Sequence, residues 1–64
     1  MEISLGNSGL YTVTMTRDEL GGLCNCIGEV FETLDEWEIP TRVGLDIEEL
    51  RECQTEILRT LRTE

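Results

Sequence analysis

The chain begins with two stretches, Glu2–Leu5 and residues 10–16, in which apolar and polar side chains alternate. Alternation with a period of two is typical of β-strands. Between them, Gly6-Asn7-Ser8-Gly9 contains residues that tolerate a positive φ, so we predict a β-hairpin. One side of this hairpin is expected to be apolar and consists of Ile3, Leu5, Tyr11, Val13 and Met15.

In the next stretch apolar residues recur every three or four positions, which is the spacing of an amphipathic α-helix. The stripe consists of Leu20, Leu23, Cys24, Ile27, Val30, Phe31 and Leu34. Thr16 precedes the stripe and Glu19 follows Thr16 by three residues, as in a capping box. We therefore predict a helix that begins after Thr16 and has Cys24 and Phe31 in the core.

Residues 35–44 break the helical period. Trp37 and Ile39 alternate with glutamates, and Pro40 has no N–H for a sheet, so we predict a short third strand at a sheet edge or an extended loop. Trp37 either covers the edge of the core or projects as an interface anchor. Arg42 is expected to pair with a nearby carboxylate of the chain itself.

A second helix is predicted after Asp46, which forms a capping box with Glu49. Its apolar stripe is Ile47, Leu50, Cys53 or Gln54, Ile57, Leu58 and Leu61, and the helix is expected to end near Thr63. These elements predict one α+β domain over residues 1–64, in which the hairpin and the third strand pack on two amphipathic helices in the order ββα(β)α.

Three glycines, Gly21, Gly22 and Gly28, fall inside the first predicted helix. Each destabilises a helix by roughly 1 kcal/mol relative to alanine. Two interpretations would explain why the helix tolerates this cost. The glycines either allow a close approach of the helix to the sheet or to the second helix, or they form a flat patch on which a partner's backbone can dock.

Charge narrows the choice of function. Fourteen acidic residues against five arginines, with no lysine and no histidine, give a formal charge of −9. The electrostatic field of so negative a chain repels nucleic acid and anionic membranes and attracts positively charged partners. It also favours a monomer. Residues 29–56 hold ten carboxylates and only two arginines, Arg42 and Arg51.

The carboxylates follow helical spacing. Glu29, Glu32 and Glu36 are three and four residues apart on the first helix, and Glu48, Glu52 and Glu56 are four apart on the second. Like charges at these spacings destabilise a helix, and no lysine is interleaved. The pattern indicates either a solvated surface or a recognition face; the candidate partner-binding residues are Glu29, Glu32, Asp35, Glu36, Glu38, Glu48, Glu52 and Glu56.

The sequence offers little for catalysis or for cofactors. It has no histidine, no lysine and no nucleophile beside a base, so we expect no enzyme and no cofactor. Three cysteines without histidine do not match a zinc site, so we expect free thiols and no metal. The N-terminus lacks a signal peptide and no segment could span a membrane, so a cytoplasmic location is expected.

The segment Gly21-Gly22-Leu23-Cys24-Asn25-Cys26-Ile27-Gly28-Glu29, then Glu38-Ile39-Pro40-Thr41-Arg42-Val43-Gly44 and an acidic helix, is similar to small proteins of bacteria and their phages. In size and charge the chain also resembles phage-encoded anti-CRISPR proteins, especially DNA-mimicking inhibitors of type I systems. That resemblance implies an acidic face that blocks the DNA-binding surface of a Cascade-type effector complex in the bacterial host cell.

Two other hypotheses fit the same sequence. An antitoxin or immunity-type protein would use its carboxylates to plug the basic active site of a toxin or nuclease. A structural adaptor would use the helix glycines and Trp37 to dimerise or to join a larger assembly.

Overall fold

The computed structural model describes residues 1–63 and shows an α+β fold, with an N-terminal hairpin followed by helices, as predicted. The hairpin consists of β1 and β2, and the helices are α1, α2 and α3, with one 3₁₀ helix before α2. Their bounds in chain order are Glu2–Leu5 (β1), Tyr11–Thr14 (β2), Arg17–Thr33 (α1), Glu36–Glu38 (3₁₀), Ile39–Val43 (α2) and Ile47–Arg62 (α3).

The hairpin has the predicted turn and first strand, and its second strand is shorter than residues 10–16 because it covers only Tyr11–Thr14. Its register pairs Ile3 with Val13 and Leu5 with Tyr11, so these four side chains share one face. Gly9 adopts a φ of 82° in the turn, a conformation that favours glycine. Every residue of both strands is exposed, and the hairpin makes only marginal contact with the helices.

Helix α1 begins where its capping box predicts. The Glu19 backbone N–H donates to the Thr16 hydroxyl at 3.1 Å, and the Thr16 N–H donates to the Glu19 carboxylate at 3.0 Å. The helix ends at Thr33 because Leu34 takes an extended conformation. Cys24 is buried, as predicted, and Phe31 is half-buried at the side of the helix pair.

The third strand expected within residues 35–44 is wrong, because this segment is helical. Pro40 lies in the first turn of α2, where its missing N–H has no helical partner in any case. The turn buries Ile39 in the core, and Gly44 ends α2 with a φ of 88°. The alternation of Trp37 and Ile39 is too short to distinguish a strand from one helical turn.

Helix α3 also begins at its predicted capping box. The Glu49 N–H donates to the Asp46 carboxylate at 2.8 Å. Helices α1 and α3 pack against each other in antiparallel fashion, and the Arg17 guanidinium at the start of α1 donates to the Leu61 carbonyl near the end of α3. Among the described residues, the buried hydrophobic core is small and consists of Cys24, Ile39 and Leu50.

The glycines of α1 do not mark a close approach along the whole helix. A Cβ at Gly21 or Gly22 would meet nothing within 4 Å, so the close-contact interpretation is wrong at these two positions. A Cβ at Gly28 would lie 3.7 Å from the Gln54 side chain of α3, an ordinary van der Waals distance. Gly21 and Gly22 therefore lower the stability of this part of α1, and no close contact at these two positions compensates for it.

Candidate acidic recognition surface

One row of the predicted carboxylates lies along α3. Glu48, Glu52 and Glu56 are all exposed and follow each other by one turn, with neighbouring Cβ atoms about 5–6 Å apart. The row exists because the apolar stripe of α3 faces α1, which leaves the opposite positions in water. Its existence agrees with the spacing in the sequence.

Arginines are interleaved with this row. Arg51 and Arg59 line one shallow groove together with Glu48, Glu52 and Glu56. The Arg59 guanidinium lies 2.7 Å from the Glu56 carboxylate. The row has no lysine, but these two arginines supply positive charges between its glutamates. This face is therefore less uniformly negative than the spacing of the glutamates predicts.

The first row is shorter than predicted. Glu29 and Glu32 lie exposed near the end of α1, but α1 stops at Thr33, so Glu36 is not on that helix. Glu36 belongs to the 3₁₀ helix, and its carboxylate lies 3.9 Å from the Arg51 guanidinium of α3. The prediction that Glu29, Glu32 and Glu36 share one helical face is therefore wrong.

Arg51 lies between the two groups of carboxylates. It lines a depression with Glu32 and Glu36 on one side, and it also lines the groove of the α3 row. Its guanidinium carbon lies 5.3 Å from the centre of the Phe31 ring, a cation–π distance. The sequence does not predict this position of Arg51, because nothing in the spacing of its residues places α3 beside Phe31.

Asp35 and Glu38 take part in the local structure of the connection. The Glu38 carboxylate accepts the Asp35 backbone N–H at 3.2 Å with one oxygen and the Arg42 Nε–H at 3.1 Å with the other. The predicted intramolecular pairing of Arg42 is confirmed. Because both oxygens of Glu38 are engaged, this residue stabilises the 3₁₀ helix and α2 and is a poor contact for a partner.

Trp37 projects into solvent. The residue is 77% exposed and lies on the 3₁₀ helix between Glu36 and Glu38. The interpretation that it covers the core is therefore wrong, and the alternative that it projects agrees with the structure.

The carboxylates that remain available form a defined set. Among residues 1–63, the exposed residues Glu29, Glu32, Asp35, Glu48 and Glu52 take part in no ion pair, whereas the glutamates Glu36 and Glu56 are exposed but paired. We refer to these six glutamates as the acidic surface. The glutamates of α3 and those of α1 and the 3₁₀ helix lie on either side of Arg51. A partner would therefore contact negative groups on both sides of this arginine.

Other chemistry is sparse. The three cysteines, which all lie within residues 1–63, are free thiols as predicted; Cys24 is buried, and Cys26 and Cys53 are exposed. No group of three or more cysteine, aspartate or glutamate side chains in the described part of the chain could hold a metal ion. None of the helices in residues 1–63 combines the length and apolar character needed to cross a bilayer.

Comparison of the chain with known protein families, with curated proteins and with solved structures gives no match.

Proposed function

We propose that this protein is an acidic inhibitor that binds the basic nucleic-acid-binding surface of a Cascade-type CRISPR effector complex as a DNA mimic. It acts by binding, without catalysis or a cofactor, in the cytoplasm of a bacterial host. The observation that carries the proposal is the acidic surface: six exposed glutamates in two groups, four of them without an ion pair in the described chain.

The physical basis is competition for cations. A groove that binds DNA does so largely with lysine and arginine, which interact with phosphates at regular intervals along the strand. Carboxylates one turn apart on a helix, at about 5–6 Å, present negative charge at a comparable scale. They are held on α3 and α1, so little order has to be created when the surface binds.

The proposal is tested by reversing charge on both sides of Arg51. The double variant Glu32→Lys/Glu52→Lys changes two exposed carboxylates that have no ion-pair partner among residues 1–63, so the fold should persist. We expect its inhibition of target-DNA binding by a purified type I effector complex to weaken about tenfold or more. Electrophoretic mobility of the DNA measures this, and circular dichroism checks the fold.

A matched control separates position from total charge. Glu2→Lys/Asp18→Lys changes the net charge by the same amount at exposed positions away from the acidic surface, and should inhibit nearly as well as the unmodified protein. Inhibition by the wild type should also fall steeply as salt rises from about 50 to about 500 mM. A wild type that does not bind the complex, or a Glu32/Glu52 variant that inhibits equally well, would contradict the proposal.

A further inference from the structure

The hairpin carries an apolar face that nothing in the described chain covers. Ile3, Leu5, Tyr11 and Val13 share that face and are between 48% and 68% exposed. The opposite face consists of Glu2, Ser4, Thr12 and Thr14, which suit water. We refer to the four apolar residues as the hairpin face. An isolated two-stranded hairpin is marginal in water, and a third strand or a packed face is normally needed to stabilise it.

The molecule also exposes more surface than its mass requires. Its accessible area is 5208 Å², whereas a compact monomer of 7.3 kDa exposes about 4,200 Å². Its radius of gyration is 13.0 Å, against about 11 Å for a compact chain of this length. The excess over the whole molecule is about 1,000 Å², which leaves room for the roughly 800 Å² that each partner loses in a standard protein interface.

Charge identifies which occupant fits the hairpin face. Thirteen of the fourteen acidic residues lie after residue 16, and the hairpin contains only Glu2. Two copies that meet through their helices would bring the acidic surfaces together, and like charges would oppose the contact. Two copies that meet through their hairpins keep those surfaces apart. A basic partner, by contrast, has no electrostatic reason to choose the hairpin.

We infer that a second copy of this chain covers the hairpin face, and that the protein forms a symmetric dimer in which the two hairpin faces pack against each other. Each copy contributes the same four side chains, as a two-fold interface requires. Pairing of strand edges would leave these side chains in water, so packing face to face is the arrangement that buries them. This proposed dimer differs from the monomer that the net charge predicts.

The test uses the whole chain in sedimentation equilibrium, from about 10 µM to about 500 µM, with mass action deciding the population of dimer. We expect a mass that rises toward twice 7.3 kDa. Because each copy carries a formal charge of −9, some repulsion between the copies remains, and raising salt from about 50 to about 500 mM should strengthen dimerisation by screening it. Binding to a basic partner should weaken over the same range, so failure of the dimer and failure of the proposed function are distinguishable.

Variants locate the interface. Ile3→Thr/Val13→Thr changes a cross-strand pair of the hairpin face and keeps β-branched residues in the strands. It should raise the dimer dissociation constant about tenfold or more. The control Ser4→Thr/Thr12→Ser changes the cross-strand pair on the polar face and should leave that constant unchanged. A monomer at every concentration and salt, or a dimer that the hairpin-face variant does not weaken, would overturn the inference.

A measurement on the unmodified protein does not depend on how the variants fold. A mixture of isotope-labelled and unlabelled chains should give intermolecular NOEs from the Tyr11 ring to the methyl groups of Ile3, Leu5 or Val13. Intermolecular NOEs confined to helical residues would place the interface elsewhere and would also overturn the inference.

Discussion

A few side chains fix the starts of the two long helices, because they accept hydrogen bonds from backbone N–H groups that have no partner within the helix. Thr16 and Glu19 bond reciprocally at the start of α1, and Asp46 and Glu49 do so at the start of α3. Glu19 has an additional role, because its second oxygen lies 3.2 Å from the N-terminal ammonium group of Met1. This contact connects the beginning of the hairpin to α1.

The titration of Glu19 tests this arrangement. The pKa of Glu19 is below its usual value. The hydrogen bond from the Thr16 backbone N–H is the larger cause, and the N-terminal ammonium group is the next. A carboxyl whose pKa is lower in the folded protein than in the unfolded chain adds to the free energy of unfolding. This contribution is complete at pH values above the unfolded-state pKa and is lost as the pH falls through the folded-state pKa. We therefore expect the free energy of unfolding to fall as the pH is lowered below the usual titration range of a glutamate carboxyl.

NMR titration of the Glu19 carboxyl measures the pKa directly, and acetylation of the N-terminal amine should move it upward, toward the usual value. Thr16→Ser, which keeps the hydroxyl and the backbone donor, is the control and should leave it nearly unchanged. A Glu19 pKa equal to that of an unfolded peptide would show that the capping box and the terminal contact do not form.

At the scale of elements, α1 combines a well-formed start with an intrinsically weak interior. A Cβ at Gly21 or Gly22 would meet nothing within 4 Å, and both glycines lie outside the positive-φ region. Their flexibility costs helix stability, since an exposed glycine loses more backbone entropy on folding than an alanine. Packing of α1 on α3 has to compensate for it.

Gly22→Ala should therefore raise the free energy of unfolding by about 0.5–1 kcal/mol. Thermal or denaturant unfolding at one fixed protein concentration measures the change. The matched control is Gly44→Ala, where the new Cβ also meets open space but φ is 88°; there alanine is strained and should lower stability. A stability loss at Gly22 would mean that this face of α1 is covered.

Arg51 connects α3 to the 3₁₀ helix and to Phe31, and its removal should make the acidic surface more uniformly negative. Arg51→Gln should tighten binding to a basic effector complex by about two- to tenfold, at little cost in stability because its ion pair is exposed. Titration calorimetry measures the affinity.

Arg62→Gln removes the same charge from the end of α3, away from the two depressions that Arg51 lines. It should have a smaller effect on affinity. Equal tightening by both variants would show that total charge, and not the position of Arg51, governs binding.

At the scale of the whole molecule, apolar exposure and negative charge are segregated. The hairpin presents apolar side chains and almost no charge, whereas the helical part holds nearly all of the −9 formal charge. Each part favours a different kind of contact. The hairpin favours hydrophobic burial against a second copy of the chain, and the helices favour electrostatic attraction to a basic partner. The opposite salt dependence that we expect for the two proposed contacts follows from this segregation.

Local signals determined much of the fold. The capping boxes at Thr16 and Asp46 predicted both long helices, and the glycine-rich turn at residues 6–9 predicted the hairpin, because each depends on hydrogen bonds or φ preferences between near neighbours. The exposed position of Glu48, Glu52 and Glu56 was also predictable, since helical periodicity fixes which side of α3 meets water.

Tertiary structure decided the rest. It placed Ile39 in the core and so made residues 35–44 helical, it brought Arg51 beside Phe31 and Glu36, and it left the hairpin face uncovered. None of these follows from the sequence alone, because each depends on which residues far apart in the chain become neighbours. Periodicity shows that a side chain would favour burial, but only packing determines whether anything is present to bury it.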